Sequence, residues 1–237
     1  DDISGHIGSI LQACIEEAEY LDQEFLDIIL QPLLPSSKSE NPAAYKICQT
    51  VLRRTAMCIQ NSTSAFINRV LVGTLSTDDS LSELSDQVYP LIYELHKISP
   101  DLLLRVLPNI CSQLLAEECG VRLKAVKLLG RLFASQQADY GVEFRRNFND
   151  FLGRCLDISY QVRIEMVEAL SSIFKRKNEL RVLVEGHLRK KLRDAEGEVR
   201  MLALTKLLEI ALDEPTNLSQ ETFVEMCERL KDKKRDI

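Results

Sequence analysis

Between Glu117 and Asp213 the chain repeats itself three times, and this repeat restricts its fold more than any other feature. The dipeptides Val121-Arg122, Val162-Arg163 and Val199-Arg200 are separated by 41 and then 37 residues. When they are superimposed, apolar columns persist. Leu123 aligns with Ile164 and Met201, Val126 with Val167 and Leu204, Leu129 with Leu170 and Leu207, and Leu132 with Ile173 and Ile210. Columns spaced by three residues mark one stripe on a helix. A helical unit of roughly forty residues cannot bury its apolar face alone, so successive units must stack.

That period reads as a helical solenoid of the HEAT or armadillo kind. The expected fold is all-α, an α-α superhelix of about six helix pairs with no sheet. Only 9 glycines and 7 prolines occur in 237 residues, too few for a β fold with a turn every ten residues or so. An apolar content of 45% is enough for a continuous core. The array is expected to cover 1–237, with well-marked repeats over 100–231 and less regular ones over 1–99. The chain begins without methionine, and Asp232 follows Asp194 by 38 residues, as if a fourth block were opening. It is therefore expected to be a piece of a longer solenoid.

The arginine of each block falls in the apolar phase of its helix, and an inward guanidinium needs a partner, since burying an unpaired charge costs several kcal/mol. Asp157 lies six residues before Arg163, and Asp194 six before Arg200. Glu117, five before Arg122, is the looser match in the first block. These pairs are expected to form a structural ladder between successive repeats, with each Asp also near the N-terminus of the following helix. Because the pair recurs with the repeat, a catalytic role is disfavoured.

Other elements follow from punctuation. Helices are expected over 3–18 and 22–33, then a polar loop over 35–41. Asn41-Pro42 is a cap followed by a first-turn proline, opening a helix with Ile47, Val51, Leu52 and Met57 inside. A helix over 63–75 presents Phe66, Val70 and Leu71, and 76–82 is a loop. Pro90 should kink or delay the helix carrying Val88, Leu91, Ile92 and Leu95. Ser99-Pro100-Asp101 should cap a helix over 102–115, kinked at Pro108. Further helices are expected over 142–155, with Phe144, Phe148, Phe151 and Leu152 inside, over 179–193, and from Asn217-Leu218-Ser219-Gln220 to about residue 230.

Few groups suggest chemistry. The seven cysteines form no CxxC and the three histidines lie far from any cysteine pair, so reduced structural thiols are expected, with no metal and no cofactor. Gly5-His6-Ile7-Gly8-Ser9 lacks the lysine of a phosphate loop and follows no strand. No apolar run of eighteen residues or so is present, and no membrane association is expected. No catalytic constellation stands out.

Charge is distributed unevenly. Residues 1–118 carry 7 basic and 17 acidic side chains, whereas 122–193 carry 16 basic and 8 acidic ones, so partners of opposite sign should meet different regions. Opposite the apolar face of the first block lie Lys124, Lys127 and Arg131. Their equivalents are Glu165, Glu168 and Ser172, then Leu202, Thr205 and Glu209. A face that changes from basic to acidic to apolar fits one extended peptide better than a uniform duplex. Two basic runs, Lys175-Arg176-Lys177 and Arg189-Lys190-Lys191 with Arg193, either complement helix C-termini or hold a small polyanion or DNA.

Three segments carry a resemblance. They are Leu34-Pro35 through Val51-Leu52-Arg53-Arg54-Thr55; Leu84 through Ile98-Ser99-Pro100-Asp101-Leu102-Leu103-Leu104 to Arg131-Leu132-Phe133; and Phe151-Leu152-Gly153-Arg154-Cys155-Leu156-Asp157-Ile158 with Val162-Arg163. In order and spacing they resemble the N-terminal HEAT region of the precocious dissociation of sisters (PDS-five) cohesin regulators, over most of 22–213. The resemblance implies a non-catalytic scaffold of the nucleus and chromosome. It would bind the kleisin subunit of cohesin and the wings-apart-like release factor, and so control sister-chromatid cohesion. The alternatives are a HEAT-like DNA glycosylase or other nucleic-acid binder, and a nuclear transport or phosphatase scaffold. Zero tryptophans argue against base-stacking chemistry.

Overall fold

A computed structural model describes residues 28–73 and 79–229 together with positions 6, 7, 9, 10, 13, 14 and 26. The expected helix over 3–18 and Asp232 lie largely or wholly outside the described residues. Contacts divide the chain into two compact units, Asp1–Ile110 and Cys111–Ile237. The division falls near the point where the sequence becomes regular. Among the described residues every regular element is helical.

In the first unit a 3-10 turn, Gln31–Leu33, leads to Leu34 in an extended conformation (φ −62°, ψ 143°), as the following proline requires. Pro35 then opens helix α1 (Pro35–Glu40) where a loop was expected. Proline's fixed φ suits a first helical turn, and its missing N–H is not needed there. Helix α2 (Pro42–Thr55) starts as its sequence implies, with the Asn41 side chain accepting from the Ala44 N–H at 3.1 Å. Its inner stripe is Cys48, Val51, Leu52 and Thr55. Ile47 and Met57, expected inside, are exposed. Ile47 lies about a quarter turn from the stripe, and Met57 falls beyond the helix end.

Helix α3 (Gln60–Gly73) buries Ile67, Val70 and Leu71, with Phe66 only half-buried. Helix α4 (Asp79–Ile98) begins inside the segment expected to be a loop and runs on through Pro90. Its buried stripe of Val88, Leu91, Ile92 and Leu95 keeps the helix going despite the lost backbone bond. A polar cluster ties α1, α2 and α4 together. The Tyr45 hydroxyl and Lys97 Nζ donate to Glu94 at 2.8 and 2.6 Å, and Lys38 Nζ donates to the Tyr45 oxygen at 3.3 Å. Burial alone would raise the Glu94 carboxyl, but Lys97 and Tyr45 outweigh it and hold it below its ordinary value.

The single helix expected over 102–115 is three pieces. Pro100–Leu103 is a 3-10 turn, α5 spans Leu107–Ser112, and Gln113–Leu115 is a second 3-10 turn. Ser99 is extended but makes no side-chain cap bond. Pro108 stands second in α5, so the chain restarts before the proline instead of bending at it.

The second unit holds the repeat. Helix α6 (Cys119–Phe133) is followed by α7 (Tyr140–Glu143), α8 (Arg145–Gly153) and a 3-10 turn, Arg154–Leu156. Helix α9 (Tyr160–Arg176), a 3-10 turn at Asn178–Leu180 and α10 (Arg181–Lys191) come next. Then come α11 (Gly197–Asp213) and α12 (Gln220–Glu228), the latter capped by Ser219 as expected. The three Val-Arg blocks are α6, α9 and α11, and α6 packs on α9 as α9 packs on α11. Leu129, Leu170, Leu207, Leu132, Ile173 and Ile210 form their buried seam, while Leu123, Ile164 and Met201 sit at its rim. A Cβ on Gly130 would meet the Ala169 Cβ at 2.5 Å, so only glycine permits this approach of α6 to α9. Phe133 meets Phe148 and Phe151 at centroid distances of 4.9 and 5.2 Å. Phe144, by contrast, is only half-buried. The buried thiols of Cys111 and Cys155 are pushed up to about 12 by burial, and so remain protonated.

Candidate partner-binding surface

Each Val-Arg block begins at a sharp corner, and the corner explains the arginine. Arg122 Nη1 donates to the main-chain carbonyls of Ala116 and Glu117 at 2.9 and 2.7 Å. Arg163 Nη1 reaches the Asp157 and Ile158 carbonyls at 2.8 and 3.3 Å, and Arg200 Nη1 those of Asp194 and Ala195 at 2.9 and 3.0 Å. One edge of each guanidinium thus caps the turn six and five residues upstream. The expected carboxylate partners within a block are therefore corrected: Asp157, Asp194 and Glu117 offer their own blocks' arginines a carbonyl oxygen.

The carboxylates bind across repeats instead. Arg122 Nε and Nη2 donate to Asp157 at 2.9 and 3.0 Å. Arg163 donates to Asp194 through Nε at 3.0 Å and Nη2 at 2.9 Å. Both are bidentate forks in which the acid comes from the following repeat. Each Asp also accepts the N–H two residues on, Ser159 at 2.9 Å and Glu196 at 3.1 Å. A cation three residues before each completes the group: Arg154 bonds Asp157 at 3.1 Å and Lys191 bonds Asp194 at 2.8 Å. Burial alone would raise Asp194, yet the bonds from Arg163, Lys191 and the Glu196 N–H lower it to about 2. Asp157 is lowered against the same burial by Arg122 and the Ser159 N–H.

Most of the basic runs are absorbed by such contacts. Lys191, expected on the surface, is buried and also donates to the Cys155 carbonyl at 2.5 Å. Lys177 is buried and bonds Asp139 at 2.6 Å and the Ala138 carbonyl at 2.8 Å. Lys175 pairs with Glu209 at 3.3 Å, Arg189 with Glu221 and Glu225, and Arg193 with Glu225 at 3.2 Å and Glu228 at 3.3 Å. Arg176 and Lys190 are exposed. The two runs thus serve mainly as inter-helix clamps. The spacing of Lys191 and Arg154 to the Asp three residues on was visible in the sequence and is the signal that identifies these clamps.

The stripe lies on α6. Lys124, Lys127 and Arg131 are all exposed along one ridge of the helix. On the neighbouring helix Glu165 is half-buried and raised by burial, against the pull of Lys127, while Glu168 pairs with Lys206 at 3.1 Å. At the N-terminal end of α6 a shallow groove of about 730 Å³ is lined by Glu117, Cys119, Arg122, Leu123 and residues 158–161. Nearby, Leu156 and Ile158 are 82% and 92% exposed, far more than apolar side chains of a packed corner need be. Sequence reasoning missed this apolar rim, because residues between a 3-10 turn and the next helix carry no periodic signal. Among the described residues no group of His, Cys, Asp or Glu could hold a metal, and no helix is long and apolar enough to cross a membrane.

A family model described as sister chromatid cohesion protein PDS5 matches residues 1–237. The chain belongs to the PDS5 family. Sister chromatid cohesion protein PDS5 homolog A of Danio rerio and that of Homo sapiens are each 31% identical over 229 residues, 97% of this chain and 17% of theirs. The Gallus gallus homolog A is 34% identical over 195 residues, covering 82% of this chain and 14% of its own. The chain therefore spans less than a fifth of these relatives. A solved chain from a Pds5–Scc1 complex, described with implications for cohesin function, matches the fold with a TM-score of 0.77 at 17% identity. That match covers 90% of this chain and 34% of the solved one. The helical-repeat fold expected from the Val-Arg period is the fold of that protein.

Proposed function

We propose that this chain is a non-catalytic scaffold of the cohesin machinery, acting on chromosomes in the nucleus, which holds an extended segment of the kleisin subunit. The observation that carries this reading is the agreement of family and fold: a PDS5-family sequence throughout, with the fold of a Pds5 chain taken from a complex with Scc1. Family membership also favours it over a DNA glycosylase and over transport or phosphatase scaffolds. The wings-apart-like release factor is a second partner under the same proposal, and so is the continuity of 1–237 as one array.

The contact surface proposed is the exposed ridge of α6. Lys124, Lys127 and Arg131 supply positive charge to an acidic stretch of the partner, while Leu123 and the Ile158 rim receive an apolar anchor. With most of the basic runs paired to carboxylates, an extended peptide is better supported than a polyanion or DNA. The test is titration of the 237-residue chain with a kleisin fragment and with a transport-cargo peptide at low salt. Kleisin alone should bind, and Lys124→Glu with Lys127→Glu should weaken it about tenfold, with circular dichroism unchanged. Equal affinity for variant and wild type would remove the assigned surface, and no binding of kleisin would remove the function.

A further inference from the structure

Ser219 is bound to a carboxylate on a different helix. Glu185, nearly buried on α10, accepts with one oxygen from the Ser219 N–H at 2.8 Å, the Ser219 hydroxyl at 2.6 Å and the Thr222 hydroxyl at 2.5 Å. The Ser219 oxygen in turn accepts from the Thr222 N–H at 3.3 Å, capping α12. Glu185 thus helps to hold the start of α12 against α10, and the contact depends on the hydroxyl proton. Without it, two electron-rich oxygens would stand at hydrogen-bond distance with nothing between them.

The same serine is placed for modification. Ser219 is exposed, and residues 214–216 before it are exposed as well. Leu218 and Ser219 are extended (φ −105°, ψ 145° and φ −70°, ψ 153°), and the buried Leu218 must lift out for a kinase cleft to close on the serine. No basic residue lies between 214 and 218, and Gln220 and Glu221 follow directly. That is the local pattern of a substrate for a protein kinase directed to Ser-Gln.

We propose that Ser219 is a phosphorylation site, and that phosphoserine there releases α12 from α10. In the transfer, Ser219 Oγ attacks the γ-phosphorus of ATP. The new O–P bond forms as the bond to the bridging oxygen of ADP breaks, and the hydroxyl proton passes to the kinase's base. The product cannot donate to Glu185, and it sets a phosphate of nearly two negative charges against a carboxylate shielded from water. A phosphate at a helix N-terminus is favourable in itself, but that attraction is to partial charges, whereas Glu185, 2.6 Å from the serine oxygen, opposes it with a full one. Release uncovers Leu218, Thr222 and Met226, which α12 now buries.

The test uses the 237-residue chain with phosphoserine installed at 219, and reads hydrogen exchange of the amides from 222 to 228. Exchange should quicken at least tenfold, while the α9 amides stay protected. Glu185→Gln should return the protection, because its amide can still accept from Thr222 and can now donate to the phosphate. Protection unchanged by phosphoserine, or loss that Glu185→Gln fails to reverse, would overturn the switch. Incubation of the unmodified chain with ATP and a Ser-Gln-directed kinase tests the site. Two other Ser-Gln dipeptides occur, at 112–113 and 135–136, so the phosphate must be mapped. Phosphate at 219 is expected, and its absence overturns the proposal.

Discussion

The two units solve the same problem, joining neighbouring helices through polar contacts, with different regularity. In the second, one device recurs: an arginine caps its own corner with Nη1 and grips the next repeat's aspartate with Nε and Nη2. In the first, α1, α2 and α4 meet at a cluster that occurs once among the described residues, in which Glu94 gathers Tyr45 and Lys97 with Lys38 beside them. The difference shows what repetition requires. A bidentate fork fixes distance and angle together, so it can be copied at a constant offset along a stack. A flexible lysine cluster sets only proximity and fits a single local shape.

The largest expected effect tests the fork directly. Arg163→Ala leaves Asp194 buried with Lys191 as its remaining cation, and should destabilise the second unit by about 3–5 kcal/mol. Urea unfolding of the 237-residue chain measures this, and a transition unchanged from wild type would make the arginine superficial. Acid should act on the same contact. Asp194 is lowered from 3.8 to about 2, so its contribution, about 2 kcal/mol, is complete above the unfolded value near pH 4 and lost as pH falls through about 2. Asp194→Asn should flatten that part of the acid limb.

Gly130→Val should cost about 2 kcal/mol by forcing α6 from Ala169, which a thermal melt would show. In the first unit Asn41→Ala removes only a cap, about 1 kcal/mol, and should leave the acid sensitivity of the repeat untouched. Were it to cost as much as Arg163→Ala, the contrast between the units would fail.

How much of this could be read beforehand follows the same contrast. Helices α6, α9 and α11 were legible because their apolar spacing holds over four turns and recurs. The helices between them, expected over 142–155 and 179–193, were legible as helices but not in their exact bounds. They are bounded by 3-10 turns, Arg154–Leu156 after α8 and Asn178–Leu180 before α10, whose short range leaves no periodicity to detect. The need of Arg163 for an acid was legible from its inward phase. Which acid it takes was not, because Asp157 is near in sequence and Asp194 is near in space, and only the corner geometry separates them. For the same reason Lys191 and Lys177 looked like surface charge, although each is enclosed by a neighbouring turn. The ridge of Lys124, Lys127 and Arg131 was readable as exposed, since exposure follows from helix phase, whereas the Leu156 and Ile158 rim follows from no pattern at all.

The forks also give the stack a direction. Detaching the block that begins with Arg122 would cost Asp157 its main partner yet leave it Arg154 on its own side. Detaching the block that supplies Asp194 would strand Arg163 with nothing but carbonyl oxygens. Peeling from one end should therefore meet more resistance than peeling from the other, as with a zip fastener whose teeth all lean the same way.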